Sequence, residues 1–410
     1  MASFNPGDVF VDNITIVSPR TPSWNMAQNF LSASILETIF TPGVMGEIEV
    51  IDTEDFLGKL KLAGDELVQF QFTKPNGISA SYMFHLNSIK DVTIVGSMKT
   101  KTYKLEVVSR EVLTGQAKYV QKGYNDTIDN IVKDLQGQLN SKLSLISEAT
   151  KGKRNIKIAN QQIYHAIEML RKQAVSNDSK SSNYMFWQTW KSFYFQTLEY
   201  MVKQGPIKTF KQENTVGHSM NSDVDTNILA WQVKQNMDAI NRIHAGVLKQ
   251  RVATFNVHTN SFAKQDFKPE LNEFTNAGNG PLNTSAFRSL FESENSGRSV
   301  FKYNNLNEKL DVGKSYVPAA IPYKMLNLAQ MQEQLLHMTV IGDPVLEAGK
   351  TINNNIPKIT SDVNNTEPEP QASGKWLIAK VEHQIRGPDV RPRYVCNLEC
   401  LKGVYEESVE

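Results

Sequence analysis

The stretch "VIGDPVLEAGKTI", Val340 to Ile352, decides how this chain is read. Its Gly349-Lys350-Thr351 ending is that of a nucleotide-binding P-loop. That loop needs Gly-x-x-x-x-Gly-Lys-[Ser/Thr], so that successive backbone N–H groups curl around phosphate oxygens. The first glycine of the pattern would fall at position 344, which is proline. Proline has no N–H to donate and fixes φ, so it cannot belong to such a nest. Glu347 places a carboxylate where phosphate charge would lie. A phosphate loop also opens a helix whose N-terminus faces the anion. Here Asn353-Asn354-Asn355 and Pro357 follow, all poor helix formers. The stretch is not a phosphate loop.

Working outward, the stretch has an echo near the N-terminus. "LAGDEL" (Leu62 to Leu67) and "EAGKTI" (Glu347 to Ile352) share Ala-Gly and an apolar residue three positions after the glycine. Each is followed by a loop, a strand-like run ending in isoleucine (Ile89, Ile385), and a Tyr-x-apolar-x-apolar run. Those last runs are "TYKLEVV" and "RYVCNLE". The second copy is longer by its Asn- and Pro-rich loop, residues 356–374. This pattern predicts an internal duplication in which Gly64 and Gly349 turn hairpin corners, where glycine tolerates φ values other residues avoid.

The chain of 410 residues has room for two to four domains. A net charge of +1 with 21% charged residues gives no surplus pointing to nucleic acid or a membrane surface. "MASFNPGDVFVDN" has neither a basic n-region nor an apolar h-region, and no apolar run reaches membrane-spanning length. A soluble protein made without export is expected. Cys396 and Cys400 lie in "RYVCNLECL", where Tyr394, Cys396, Leu398 and Cys400 alternate with polar positions as in a strand. Four residues of strand span roughly 13 Å, beyond disulfide reach. Two thiols alone also make a poor zinc site. Both are expected in the core.

The first 112 or so residues read as β structure: "GEIEVI", "ELVQFQF", "VTIV" and "TYKLEVV", with "KPNGIS" as a turn. In "GYNDTIDNIVKDLQGQL" the apolar residues Ile128, Ile131, Val132, Leu135 and Leu139 follow helical spacing, with Asn125 or Asp126 as candidate N-cap. A second helix fits Ile163, Ile167, Leu170 and Ala174. "NYMFWQTWKSFYFQTLEYM" fits either one helix face or two strands around a turn near Lys191-Ser192, and its aromatic content favours strands. Such a cluster can stack nucleic-acid bases, but without interleaved Lys or Arg core packing is the better reading. Residues 263–320 are polar and rich in Asn, Ser and Gly, with the look of an insertion or a long excursion. "KMLNLAQMQEQLL" reads as a helix, "HMTVI" begins a further β region, and "KWLIAKVEHQI" and "RYVCNLECL" follow as strands.

No constellation marks an enzyme. His85, His165, His218, His244, His258, His337 and His383 form no H-E-x-x-H motif and have no Cys or His at ligand spacing. Asp223-Val224-Asp225 could hold a hard cation, although such a pair in a polar loop is usually just solvated. Lys151-Gly152-Lys153-Arg154 is the densest basic cluster and reads as a solvated turn rather than a phosphate contact. Neither G-x-S-x-G nor G-x-G-x-x-G occurs. The sequence nominates no catalytic, cofactor-binding or metal residue, and no cofactor.

"TYKLEVVSREVLTGQAKYVQKGYNDTIDNIVKDL" resembles a passage of phage tail hub proteins: a strand closing a tube-like barrel, a linker and a short helix. "NYMFWQTWKSFYFQTLEYM" looks like the aromatic hairpin of the domain that follows. "HMTVIGDPVLEAGKTI" with "GKWLIAKVEHQI" and "YVCNLECL" is similar to the closing strands of their second barrel. The family that these passages resemble is the baseplate central hub of T-even-like contractile-tailed phages. The resemblance implies an α+β, β-dominated fold with two tail-tube-like β-barrel domains, a small α/β domain between them and an insertion in the second barrel. It divides the chain into residues 1–112 (first barrel), 113–206 (connecting domain), 207–262 with 321–405 (second barrel), 263–320 (insertion) and a tail, 406–410. It further implies a virion homotrimer whose six barrels adapt a sixfold tail tube to a threefold central spike. The implied partners are tail tube protein, spike protein, other baseplate proteins and DNA passing through the lumen without sequence-specific contacts. A carbohydrate-binding tail adhesin is the alternative, with exposed aromatics near 184–200, and a tail-associated hydrolase a more distant one.

Overall fold

The computed structural model describes residues 7–60, 62–95, 100–178, 181–212, 224–235, 249–256, 260–267, 298–304, 334–358, 367–369, 371–387 and 393–402, with single positions 240, 244, 324, 328 and 331. The N-terminal part supplies β1 (Phe10–Val17), β2 (Trp24–Asn25), β3 (Phe30–Thr38), β4 (Met45–Asp52), α1 (Phe56–Leu60), β5 (Leu67–Thr73), β6 (Ser79–Val95) and β7 (Thr100–Ser109). The period-2 patterns hold: Ile48 and Val50 are buried on β4, and Val68, Phe70 and Phe72 on β5. "VTIV" is the end of the long strand β6, and Gly77 turns the corner between β5 and β6 at φ +85°.

The middle of the chain contributes α2 (Arg110–Ala117), β8 (Tyr119–Asp126), α3 (Ile128–Gly137), β9 (Ser144–Ser147), β10 (Arg154–Gln162), α4 (Ile163–Arg171), β11 (Tyr184–Gln188), β12 (Ser192–Thr197) and α5 (Leu198–Lys203). Helices α3 and α4 follow the expected apolar spacing. The N-cap of α3 is Thr127, one residue later than expected; the Asp126 carboxylate instead accepts the Thr127 N–H and the Asn130 amide. Residues after β7, taken as a linker in the resemblance, are helical as α2.

The later part holds β13 (Thr209–Lys211), β14 (Ile228–Gln235), β15 (Gln250–Asn256), β16 (Ser261–Phe267), β17 (Arg298–Asn304), β18 (Gln334–Ile341), β19 (Thr351–Asn355), β20 (Gly374–Arg386) and β21 (Arg393–Lys402). β15 pairs with β16 and β17 in a separate three-stranded sheet, so the expected edge of the polar insertion at residue 263 falls inside β16. Leu335 and Leu336, read as the end of a helix, already belong to β18; Lys324, Leu328 and Met331 are helical, and the rest of that segment lies outside the described residues.

The fold is β-dominated. Its central feature among the described residues is a thirteen-stranded sheet ordered β14-β18-β21-β20-β3-β4-β7-β6-β5-β1-β2, with β19 and β13 added on β20. Within it, β3-β4-β7-β6-β5-β1 and β14-β18-β21-β20-β19-β13 follow the same strand order, position for position. Register irregularities fall at matching places as well. β3 slips against β4 at Leu31, and β14 against β18 at Leu229; β6 slips against β7 at Asn87, and β20 against β21 at Ala379. A bulge puts one extra residue into a strand and fixes the ladder around it, so these four positions serve as rulers. They set Ala33 against Trp231, Leu86 against Ile378 and Leu105 against Leu398. Tyr103 then falls at Cys396, two residues from the Tyr103–Tyr394 match that the sequence suggests. The copies also differ at their outer strands: β1 runs antiparallel to β5, whereas β13 runs parallel to β19.

Candidate assembly site

Two strands far apart in sequence form the seam between the copies. β3 and β20 pair antiparallel from Ser32–Arg386 to Thr38–Lys380. Ala33, Ile35, Val381 and Ile385 bury the inner face of the seam, and on the other face Ser34 Oγ donates to Glu382 Oε1 at 2.5 Å. The alternation that makes each run a strand also gives each one core-facing side.

The aromatic segment is a β11–β12 hairpin, and it locks onto this seam. Tyr184, Phe186, Phe193 and Phe195 pack into a core with α3 and α4, while Met185, Trp187 and Tyr194 enter the core of the large sheet. Both faces are covered, so no polar alternation remains to reveal the strands. At the hairpin tip, Trp187 Nε1 donates to the Ala348 carbonyl at 3.0 Å, and Trp190 Nε1 to the Pro344 carbonyl at 3.0 Å. Thr189 Oγ1 donates to Glu347 at 2.8 Å, and Lys191 pairs with the same carboxylate. Lys350, the lysine of the failed phosphate loop, lies 5.0 Å from the Tyr194 ring centroid. Gly349 has φ +86°, and a Cβ there would come within 2.3 Å of the Trp187 ring. Two demands therefore exclude a side chain at this position.

Glu37, at the end of β3, ties the seam to the hairpin. Its Oε1 accepts from the Trp190 N–H at 3.0 Å and from the Tyr82 hydroxyl at 3.1 Å. Burial, reinforced by the charge of Glu347, pushes its carboxyl up to about 8 against the pull of those hydrogen bonds. His383 is also buried in the seam strand, its Nδ1 2.6 Å from the Tyr394 hydroxyl, and burial pushes it down to about 4. These groups are enclosed by packed side chains, so their shifted protonation bears on stability.

The residues weighed as chemistry in the sequence do not converge. Cys396 and Cys400 are free thiols in the core, as expected, and burial raises Cys396 to about 12. Asp225 pairs with Lys74 at 3.4 Å, while Asp223 lies outside the described residues. Arg154 is buried, with Nη2 3.5 Å from the Gln173 side-chain Oε1. His218 and His258 lie outside the described residues. Among the described residues no three metal-ligating side chains cluster, and no helix is long and apolar enough to cross a membrane.

What the geometry does offer is strand edge. Among the described residues β14 pairs only with β18, and β6 beyond His85 pairs only with β7. Sequence reasoning passed over both edges; the long run "SASYMFHLNSIKDVTIV", extending past its partner β5, was the available signal.

No protein-family model and no curated protein matches this sequence. Solved structures do match its fold. A tail protein from Neisseria meningitidis MC58 aligns with a TM-score of 0.58 at 9% identity, over 96% of this chain and 97% of that one. The 43 kDa tail protein of prophage MuSo2 from Shewanella oneidensis aligns with a TM-score of 0.56 at 8% identity, over 96% and 99%. With nearly full coverage on both sides, the chain has the β-dominated fold found in these two tail proteins.

Proposed function

We propose that this chain is a non-enzymatic structural hub at the base of a contractile phage tail. In this reading three copies bring together six tube-like units, with a sixfold tail tube above, a threefold central spike below and an open lumen for DNA. The observation that carries it is the duplicated strand order joined through β3 and β20, since a trimer of a twofold-repeated chain presents six similar units. The fold shared with two tail proteins supports the same reading. The adhesin alternative is weakened, because Tyr184, Phe186, Trp187, Phe193, Tyr194 and Phe195 are buried, although Trp190 is half-buried and Tyr200 is exposed. The division into two barrels, a connecting domain and an insertion belongs to this proposal, as do the virion location and the other baseplate partners.

The test is light scattering and electron microscopy of the purified chain, alone and with a spike candidate. A trimeric ring with six lobes is expected. A chain that stays monomeric with the spike present, and at high concentration, overturns the proposal.

A further inference from the structure

The seam inside the chain is a template for a contact that the chain does not make with itself. One edge of β20 carries β19 along Gly374–Leu377 and then β3 along Lys380–Arg386. The matching edge of β6 carries β5 along Ser79–His85. Beyond it, from Ser88 to Val95, no second strand pairs among the described residues. The counterpart of β3 is β14, which is likewise paired on one side only among the described residues. Unpaired N–H and C=O rows invite another strand.

We propose that β14 of one copy pairs antiparallel with the Ser88–Val95 edge of β6 in the next copy, in the register that β3 takes on β20. This rests on the ring-forming reading above and supplies its contact residues. The bulges carry the register across. Trp231 takes the place of Ala33, Val233 that of Ile35, and Lys234 that of Leu36. On β6, Lys90 takes the place of Glu382 and Ile94 that of Ile385, with the second irregularity of β6, at Asp91 and Val92, falling at His383. Trp231 therefore meets Ile94, and Val233 meets the bulge.

The exposure pattern agrees. In the seam Ala33, Ile35 and Ile385 are buried, whereas Ile94 is 68% exposed and Val92 53% exposed. Trp231 and Val233 are half-buried against the core of the sheet. Apolar side chains thus stand open where their counterparts in the seam are covered. The two edges are different surfaces of the chain, so the contact is head-to-tail, the kind that closes into a ring. One pair opposes the contact: Lys90 and Lys234 face each other, although Lys90 is already paired with Glu106.

The experiment uses the full chain with Ile94→Cys and Trp231→Cys together, oxidised and run without reductant. Cys396 and Cys400 are buried, so the new thiols are the accessible ones. Covalent oligomers ending at a closed trimer are expected from the double variant and from neither single variant. A double variant that assembles by light scattering yet never cross-links overturns this contact while leaving the hub reading standing. A chain that does not self-associate even at high concentration with the spike candidate present overturns both. Two milder variants guard against misfolding. Val92→Arg should weaken self-association about tenfold or more, and Lys234→Glu should strengthen it, while Leu113→Arg on the exposed side of α2 leaves it unchanged. Equal effects of Val92→Arg and Leu113→Arg would also refute the contact.

Discussion

The two copies turn comparable corners with different support. Neither is the expected hairpin, because among the described residues β4 does not pair with β5 nor β18 with β19, and their glycines lie one ladder position apart. Before β5, the buried carboxylate of Glu66 accepts the N–H groups of Ala63 at 3.0 Å and Gly64 at 2.8 Å, and meets Arg20 at 2.7 Å. Gly64 has φ +91°, yet a Cβ there would meet nothing within 4 Å. Before β19, Glu347 turns to the hairpin instead, and Gly349 lies under Trp187. The first corner is stabilised by its own loop, the second by another part of the chain. The two ladders share their register, while the second corner forms a socket for the hairpin's indole. Stability of the second corner should therefore depend on the hairpin, and that of the first corner should not.

The largest test of this asymmetry is Trp187→Ala, which removes a fully buried indole that fills the socket. A loss of about 3–5 kcal/mol is expected, measured by denaturant unfolding. Gly349→Ala should cost about 2–4 kcal/mol, from the left-handed backbone and from overlap with the ring. Combined, the two should cost at least about 1 kcal/mol less than their sum, since removing the indole frees space for the methyl group. Strict additivity would break the socket description.

Glu37 gives a pH-dependent test. Its carboxyl titrates near 8 in the folded chain and near 4.5 when unfolded. Between these values the unfolded state releases the proton and the folded state keeps it, so this group's contribution to stability is full below about 4.5 and is lost as pH rises through 8. Glu37→Gln keeps an acceptor for Trp190 and Tyr82 without the titration. Thermal melts should show the wild type losing on the order of 1–3 kcal/mol relative to the variant between pH 5 and pH 8. Parallel melting profiles would refute the assignment. Smallest of all, Gly64→Ala should cost only about 1 kcal/mol, for backbone conformation alone. A cost equal to that of Gly349→Ala would erase the difference between the corners.

Much of the ladder was legible because each strand buries one face: Ile48 and Val50, or Val68, Phe70 and Phe72, announce themselves by alternation. The pairing of "LAGDEL" with "EAGKTI" pointed to the duplication, but its exact register did not, because Tyr103 and Tyr394 match by type and not by place in the ladder. Only the bulges at Leu31, Leu229, Asn87 and Ala379 fix that, and a bulge leaves no residue signature in one sequence. The hairpin stayed ambiguous because two cores cover its two faces. The edges of β6 and β14 were illegible for a different reason: an unpaired edge is a relation between strands, not a property of either.

The seam also sets a schedule for the nascent chain. Ser34 and its partner Glu382 are 348 positions apart. At ribosomal speeds of roughly 5–20 residues per second, β3 waits on the order of 20–70 s for the strand that will cover it. During that interval the first copy carries an uncovered edge with Ala33 and Ile35 beside it, and any chaperone that holds this protein has its earliest task there. Release of a strand-competent N-terminal half before Arg386 has emerged would favour pairing between unfinished chains.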